Sequence, residues 1–184
     1  MKYSELYSQG FIKKLNEIND VPGIDENQSV PSDYIDVEDM LKKLGFTALK
    51  QDLQTSCSDA KDNVITIDAT ENKDRQRLIM AHELGHVFYR KRNAKRNDPF
   101  DGYSSKQCSS EVFANAFATQ LLMPKLLVKG HVTQVIDDLG IDTNKISADE
   151  YDRIVSKTAK IMIVSKQAMD YRISKLKIFV PMGE

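Results

Sequence analysis

Apolar positions recur through most of the chain at the spacing of helices, and β-branched clusters are short and few. Tyr3, Leu6, Tyr7, Ile12, Leu15 and Ile18 follow the helical period and predict an amphipathic helix over residues 1–20, closed by Val21-Pro22-Gly23. Pro31-Ser32-Asp33 offers a start for a second helix ending at Leu44-Gly45, with glycine where helices commonly close. Residues 46–50 fit a short strand. Val64-Ile65-Thr66-Ile67-Asp68 is the clearest strand, and it suits either a core strand or a sheet edge along which a substrate aligns.

A longer helix is predicted over residues 73–91, which hold no proline and one glycine, with Thr70 or Asn72 as cap. Leu78, Ala81, Leu84 and Phe88 form one apolar stripe on it, and His82, His86 and Tyr89 a neighbouring one. Gly85 inside this helix costs roughly 1 kcal/mol relative to alanine, which the close approach of another element would explain. Residues 90–102 are charged and turn-rich and read as a surface connection. The next helix, from Ser109 or Ser110 to Met123, stops at Pro124 and is apolar on so many faces that it belongs in the core. Its polar exceptions, Glu111 and Asn115, are one turn apart. From His131 onward the helices shorten. Residues 149–161 and 165–176 make a helix–turn–helix-like pair with Arg172, Lys175 and Lys177 on a basic face.

Composition narrows the function classes. Lys and Arg nearly balance Asp and Glu, leaving a formal net charge of −1, so overall charge gives no drive toward nucleic acid. Direct nucleic-acid binding is accordingly not expected. The first twenty residues lack the apolar core of a signal peptide, and no apolar run approaches the roughly 20 residues needed to cross a bilayer. Two cysteines, Cys57 and Cys108, make no disulfide framework. The expectation is a cytoplasmic protein with reduced thiols and no membrane partner.

The chemistry lies in His82-Glu83-Leu84-Gly85-His86, the H-E-x-x-H spacing, which uses two of the three histidines in the chain. Two imidazoles one turn apart leave the same helix face and can converge on a zinc ion. Glu83, beside the first, is placed to take a proton from metal-bound water. A catalytic zinc needs a third protein ligand and an open position. Residue 92 is Arg92, which excludes the class with a third histidine six residues on. Glu111 is the better candidate, because a metal explains a carboxylate on an otherwise apolar helix. Asn115 can then hold a ligand histidine through its second nitrogen. Asp98, Asp101, Cys108 and His131 are alternatives, His131 reading more naturally as a loop or surface residue. An oxyanion donor would come from Tyr89, Tyr103, Tyr151 or Arg172, which sequence does not rank. Zinc is the default ion for two histidines and a glutamate, although manganese or iron could fill such a site.

Arg77 to Phe88, R-L-I-M-A-H-E-L-G-H-V-F, followed by Ser110 to Pro124, S-E-V-F-A-N-A-F-A-T-Q-L-L-M-P, resembles the ImmA/IrrE-type metallopeptidases. A weaker likeness runs from about Pro31 through Val180, with V-S-K-Q-A-M-D-Y-R-I-S-K-L resembling that family's C-terminal segment. The resemblance implies His82, His86 and Glu111 as zinc ligands and Glu83 as catalytic base. It also implies an α+β, predominantly helical, gluzincin-like fold with a small sheet beside the H-E-x-x-H helix and a C-terminal helical pair. The expected division is an N-terminal helix and linker (1–30), a metallopeptidase core (31–130) and a C-terminal helical region packed on it (131–184). By analogy with members that relieve repression in mobile elements or stress regulons, the expected protein substrate is a helix-turn-helix transcriptional repressor. The alternative is a non-catalytic regulator that binds a repressor or antitoxin-like partner through a structural or vestigial metal site.

Overall fold

The computed structural model describes residues 1–19, 21–52, 59–94 and 103–179, except the side chains of 59–61, 91–94 and 103–108. The fold is α+β and mostly helical. In chain order the elements are α1 (Tyr3–Leu6), α2 (Gln9–Asn16), α3 (Val37–Lys43), β1 (Thr47–Gln51), β2 (Asp59–Lys61) and β3 (Val64–Asp68). There follow α4 (Lys73–Ala94), α5 (Tyr103–Leu122), α6 (Lys125–Leu139), α7 (Ala148–Met162) and α8 (Lys166–Lys175).

The expected first helix is two. Tyr7 is extended, and Ser8 caps a new start by accepting a hydrogen bond from the Phe11 amide, so the local cap outweighs the continuous apolar period. The second expected helix begins later than Pro31-Ser32-Asp33. Asp36 is its N-cap, accepting from the Asp39 amide at 3.0 Å. Its end agrees with the sequence, Leu44 at the cap and Gly45 at φ 78°.

The strand at residues 64–68 is the middle of a three-stranded sheet of order β1-β3-β2, so it offers no edge to a substrate. It runs parallel to β1 (Thr47 opposite Val64) and antiparallel to β2 (Lys61 opposite Val64). Asp62 and Asn63, both at positive φ, form the two-residue hairpin turn that joins β2 to β3. Ile65 and Ile67 point into the core, while α4 packs against β2 and β3 and α3 against β1.

Helix α4 starts at the Asn72 cap, whose Oδ1 accepts from the Arg75 amide at 3.2 Å. Helix α5 starts at Tyr103, six residues before Ser109, and ends where Pro124 breaks the ladder. Pro124 also opens α6, which runs through residue 130 to a left-handed Gly140. One continuous core joins Leu15 of α2, Met40 of α3, Leu84 of α4, Leu121 of α5, Val132 of α6, Ile154 of α7 and Ile173 of α8. Among the described residues no helix is long and apolar enough to cross a membrane.

The crossing of α4 and α5 is the tightest contact near the expected site. A Cβ on Gly85 would lie 2.9 Å from the Ala114 Cα and 3.2 Å from its carbonyl oxygen. Glycine is required here by the approach of the neighbouring backbone, not by an unusual φ.

Candidate metal centre

This crossing brings the polar residues of the two helices together. Gly85 lies between His82 and His86 in the chain, and Ala114 lies between Glu111 and Asn115. Close backbone approach therefore sets the two polar pairs face to face. The Nε2 atoms of His82 and His86 are 2.9 Å apart. Glu111 reaches both, with Oε2 at 3.3 Å from His82 Nε2 and Oε1 at 3.1 Å from His86 Nε2. Among the described residues this is the group of histidine, cysteine and acidic side chains that could hold a metal ion.

The spacing fits that use. Four ligands at about 2.0–2.1 Å from a tetrahedral zinc lie roughly 3.3 Å from one another. The two imidazole nitrogens, 2.9 Å apart, and the carboxylate, with one oxygen 3.3 Å from the first and the other 3.1 Å from the second, are spaced close to the edges of such a shell. The chemistry of the donors agrees, because lone pairs that face each other are stabilised by a shared cation.

Each histidine is held from behind. His82 Nδ1 lies 3.1 Å from Asn115 Oδ1, and His86 Nδ1 lies 2.8 Å from Ser110 Oγ. The amide oxygen of Asn115 only accepts, so His82 Nδ1 carries the hydrogen and, in the neutral ring, Nε2 keeps its lone pair. Sequence reasoning placed Asn115 here and had Ser110 only as a helix start. A signal for Ser110 did exist: at four-residue spacing it heads the stripe of Ala114 and the buried Ala118, and a polar group in such a stripe needs a partner. Glu83 is 8% exposed, directly after His82 on α4, whereas the Glu111 side chain is 58% exposed.

The remaining candidates fall elsewhere. His131 is a buried residue of α6, not a loop or surface histidine, and its Nε2 donates to the Asp33 carbonyl at 2.6 Å. Asp98, Asp101 and Cys57 lie outside the described residues, as do the side chains of Cys108 and Tyr103. Tyr151 Oη donates to Asp170 Oδ1 at 2.7 Å within the C-terminal helices. Arg172 Nε donates to the Met123 carbonyl at 2.9 Å, and partial burial lowers the guanidinium pKa. Met123 follows Glu111 by twelve residues, about 18 Å along the helix axis, so Arg172 serves the far end of α5 instead of the metal centre. That bond also takes Arg172 out of a free basic face with Lys175 and Lys177. Tyr89 continues the His82–His86 face, its ring 5.3 Å from that of Phe113.

One further polar residue of α4 went unassigned in the sequence. Arg77 is buried, its Nη1 donating to the carbonyls of Met162 (2.6 Å) and Ile163, and its Nη2 to that of Ile35 (2.7 Å). The guanidinium also lies 4.7 Å from the centre of the Tyr34 ring. Burial lowers its pKa from the usual arginine value. It ties α4 to the C-terminal turn of α7 and to the segment entering α3.

Residues 41–174 match the family model Peptidase_M78, the IrrE N-terminal-like domain. No curated protein matches the chain.

Proposed function

The chain belongs to the Peptidase_M78 family of IrrE N-terminal-like domains, and on that footing we propose a zinc-dependent endopeptidase of narrow specificity that cleaves a helix-turn-helix transcriptional repressor. The coarser part rests on membership: this is a metallopeptidase of the IrrE/ImmA type with a gluzincin-like fold. The single observation that carries the catalytic reading is the convergence of His82, His86 and Glu111 at 2.9–3.3 Å beside the buried Glu83.

In this reading His82, His86 and Glu111 hold the ion, and Asn115 orients His82. A bound zinc ion supplies Lewis acidity, lowering the pKa of water toward about 7 and polarising a carbonyl. Glu83 accepts the proton of the attacking water and delivers it to the departing amine nitrogen, so the carboxylate ends the cycle as it began. Burial of Glu83 supports this role, because a carboxylate removed from bulk water exchanges its proton with the reactants first. The substrate backbone extends the sheet along β2, the edge strand on the side of α4. Tyr89, on the ligand face of α4, is the remaining described candidate for an oxyanion donor.

The test is incubation of the purified protein with the product of a neighbouring regulator gene, with and without chelator, and mass spectrometry of the products. The expected result is a single cut that chelator abolishes and zinc restores. Glu83→Gln keeps zinc and lowers the rate by roughly 10²–10⁴-fold. Cleavage that survives complete metal removal would overturn the mechanism, and tight binding without cleavage would establish the non-catalytic regulator instead.

A further inference from the structure

We infer that Ser110 is a positioning residue of the metal centre, whose hydroxyl reverses its hydrogen bond to His86 when the ion enters. The inference rests on the metal reading above and concerns what the two histidines do before and after loading. Their partners differ in kind. Asn115 Oδ1 can only accept, so His82 has one tautomer in both states, with hydrogen on Nδ1 and a bare Nε2. Ser110 Oγ, 2.8 Å from His86 Nδ1, can accept or donate.

That freedom answers a conflict inside the cluster. His86 Nε2 lies 2.9 Å from the bare His82 Nε2 and 3.1 Å from Glu111 Oε1, both acceptors. In protein stripped by chelator, three acceptors in contact repel, and the conflict is relieved if His86 carries its hydrogen on Nε2 and donates it to one of them. His86 Nδ1 is then an acceptor, and the Ser110 hydroxyl donates to it. With zinc bound, Nε2 must be bare, so its proton leaves to solvent and one from solvent returns to Nδ1. The ring keeps the same number of protons, and the hydroxyl turns to accept. An acceptor-only group at position 110 would satisfy just the loaded state.

Ser110 and Asn115 also share α5 with Glu111, so one helix carries a ligand and the partners of both others. The ligand set is therefore aligned as a unit by the docking of α5 on α4.

The test follows ring-nitrogen shifts of ¹⁵N-histidine-labelled full-length protein, first stripped by chelator and then loaded with zinc. His82 is expected to carry its hydrogen on Nδ1 throughout, and His86 to change from Nε2–H to Nδ1–H on loading. In competition with a chromophoric chelator, Ser110→Ala should bind zinc roughly 10–100-fold more weakly. Ser110→Thr, which keeps the hydroxyl, should return affinity to within about threefold of wild type. Three results overturn the inference: His86 already on Nδ1–H in stripped protein, an alanine variant as tight as wild type, or a threonine variant as weak as alanine. Wild-type protein that takes up no zinc would overturn the metal reading itself, and this inference with it.

Discussion

Helix α4 carries two polar clusters within two turns, and they are built on opposite principles. At Arg77 every hydrogen bond joins a donor to an acceptor: the two terminal guanidinium nitrogens meet three carbonyls, and only Nε is left unpaired. Five residues on, at His82, two imidazole nitrogens and a carboxylate converge on one point. The first cluster finds its three acceptors within the chain and acts as a clamp. The second gathers lone pairs that a positively charged ion would balance. Polarity on a core helix does not by itself mark a site; a surplus of lone pairs converging on one point does.

The most complete loss of zinc that could break this contrast comes from Glu111→Ala. Wild-type protein at a zinc concentration 100-fold above its Kd should gain about 2.7 kcal/mol, a rise in Tm of roughly 5–11 °C for a chain of this size. The variant should lose both stoichiometric zinc and that rise, while its melting temperature without metal stays near wild type. Zinc content unchanged in the variant would assign the third ligand elsewhere.

Arg77→Met should behave in the converse manner. Three buried carbonyls lose a charged donor, at about 3 kcal/mol or more, so Tm should fall by roughly 6–12 °C. The folded fraction should still bind zinc with near wild-type affinity in a chelator competition. A variant that folds stably but loses zinc would show that the two clusters are not separate devices.

Gly85→Ala touches both properties and should have the smallest effect. Overpacking against the Ala114 backbone costs about 1–3 kcal/mol, and the better helix former returns about 1 kcal/mol. The net loss of about 0–2 kcal/mol, read by urea denaturation, should come with weaker zinc binding, because spreading α4 from α5 draws Glu111 away from the histidines. Loss of stability with unchanged zinc affinity would separate the helix crossing from the ligand geometry.

Much of this was legible in residues 73–123. The H-E-x-x-H face, the need for space at Gly85 and the polar pair Glu111–Asn115 follow from helical periodicity, and both helices are long enough for the period to govern. Near the N-terminus the same reasoning misled, because the Ser8 and Asp36 caps override an apolar pattern that continues through them. The strand β2, joined to residues 64–68 by the turn at Asp62-Asn63, escaped the sequence reading because its three residues are too few to show a period. Arg77 and His131 were missed for a shared reason: an arginine or histidine reads as surface until the carbonyls it will meet, 42 to 98 residues away in the chain, are known.

What the amino-acid sequence determined by itself is the offer of candidate ligands: two imidazoles on one helix face and a carboxylate with an amide on another, each set by the local geometry of 3.6 residues per turn. What the tertiary structure decided is their meeting. The rotation and closeness of α4 against α5, fixed where Gly85 admits the Ala114 backbone, bring the nitrogens within 3.1–3.3 Å of Glu111 and put Ser110 behind His86. Spacing along a helix is a local property, whereas the contact of two helices depends on the whole core that presses them together.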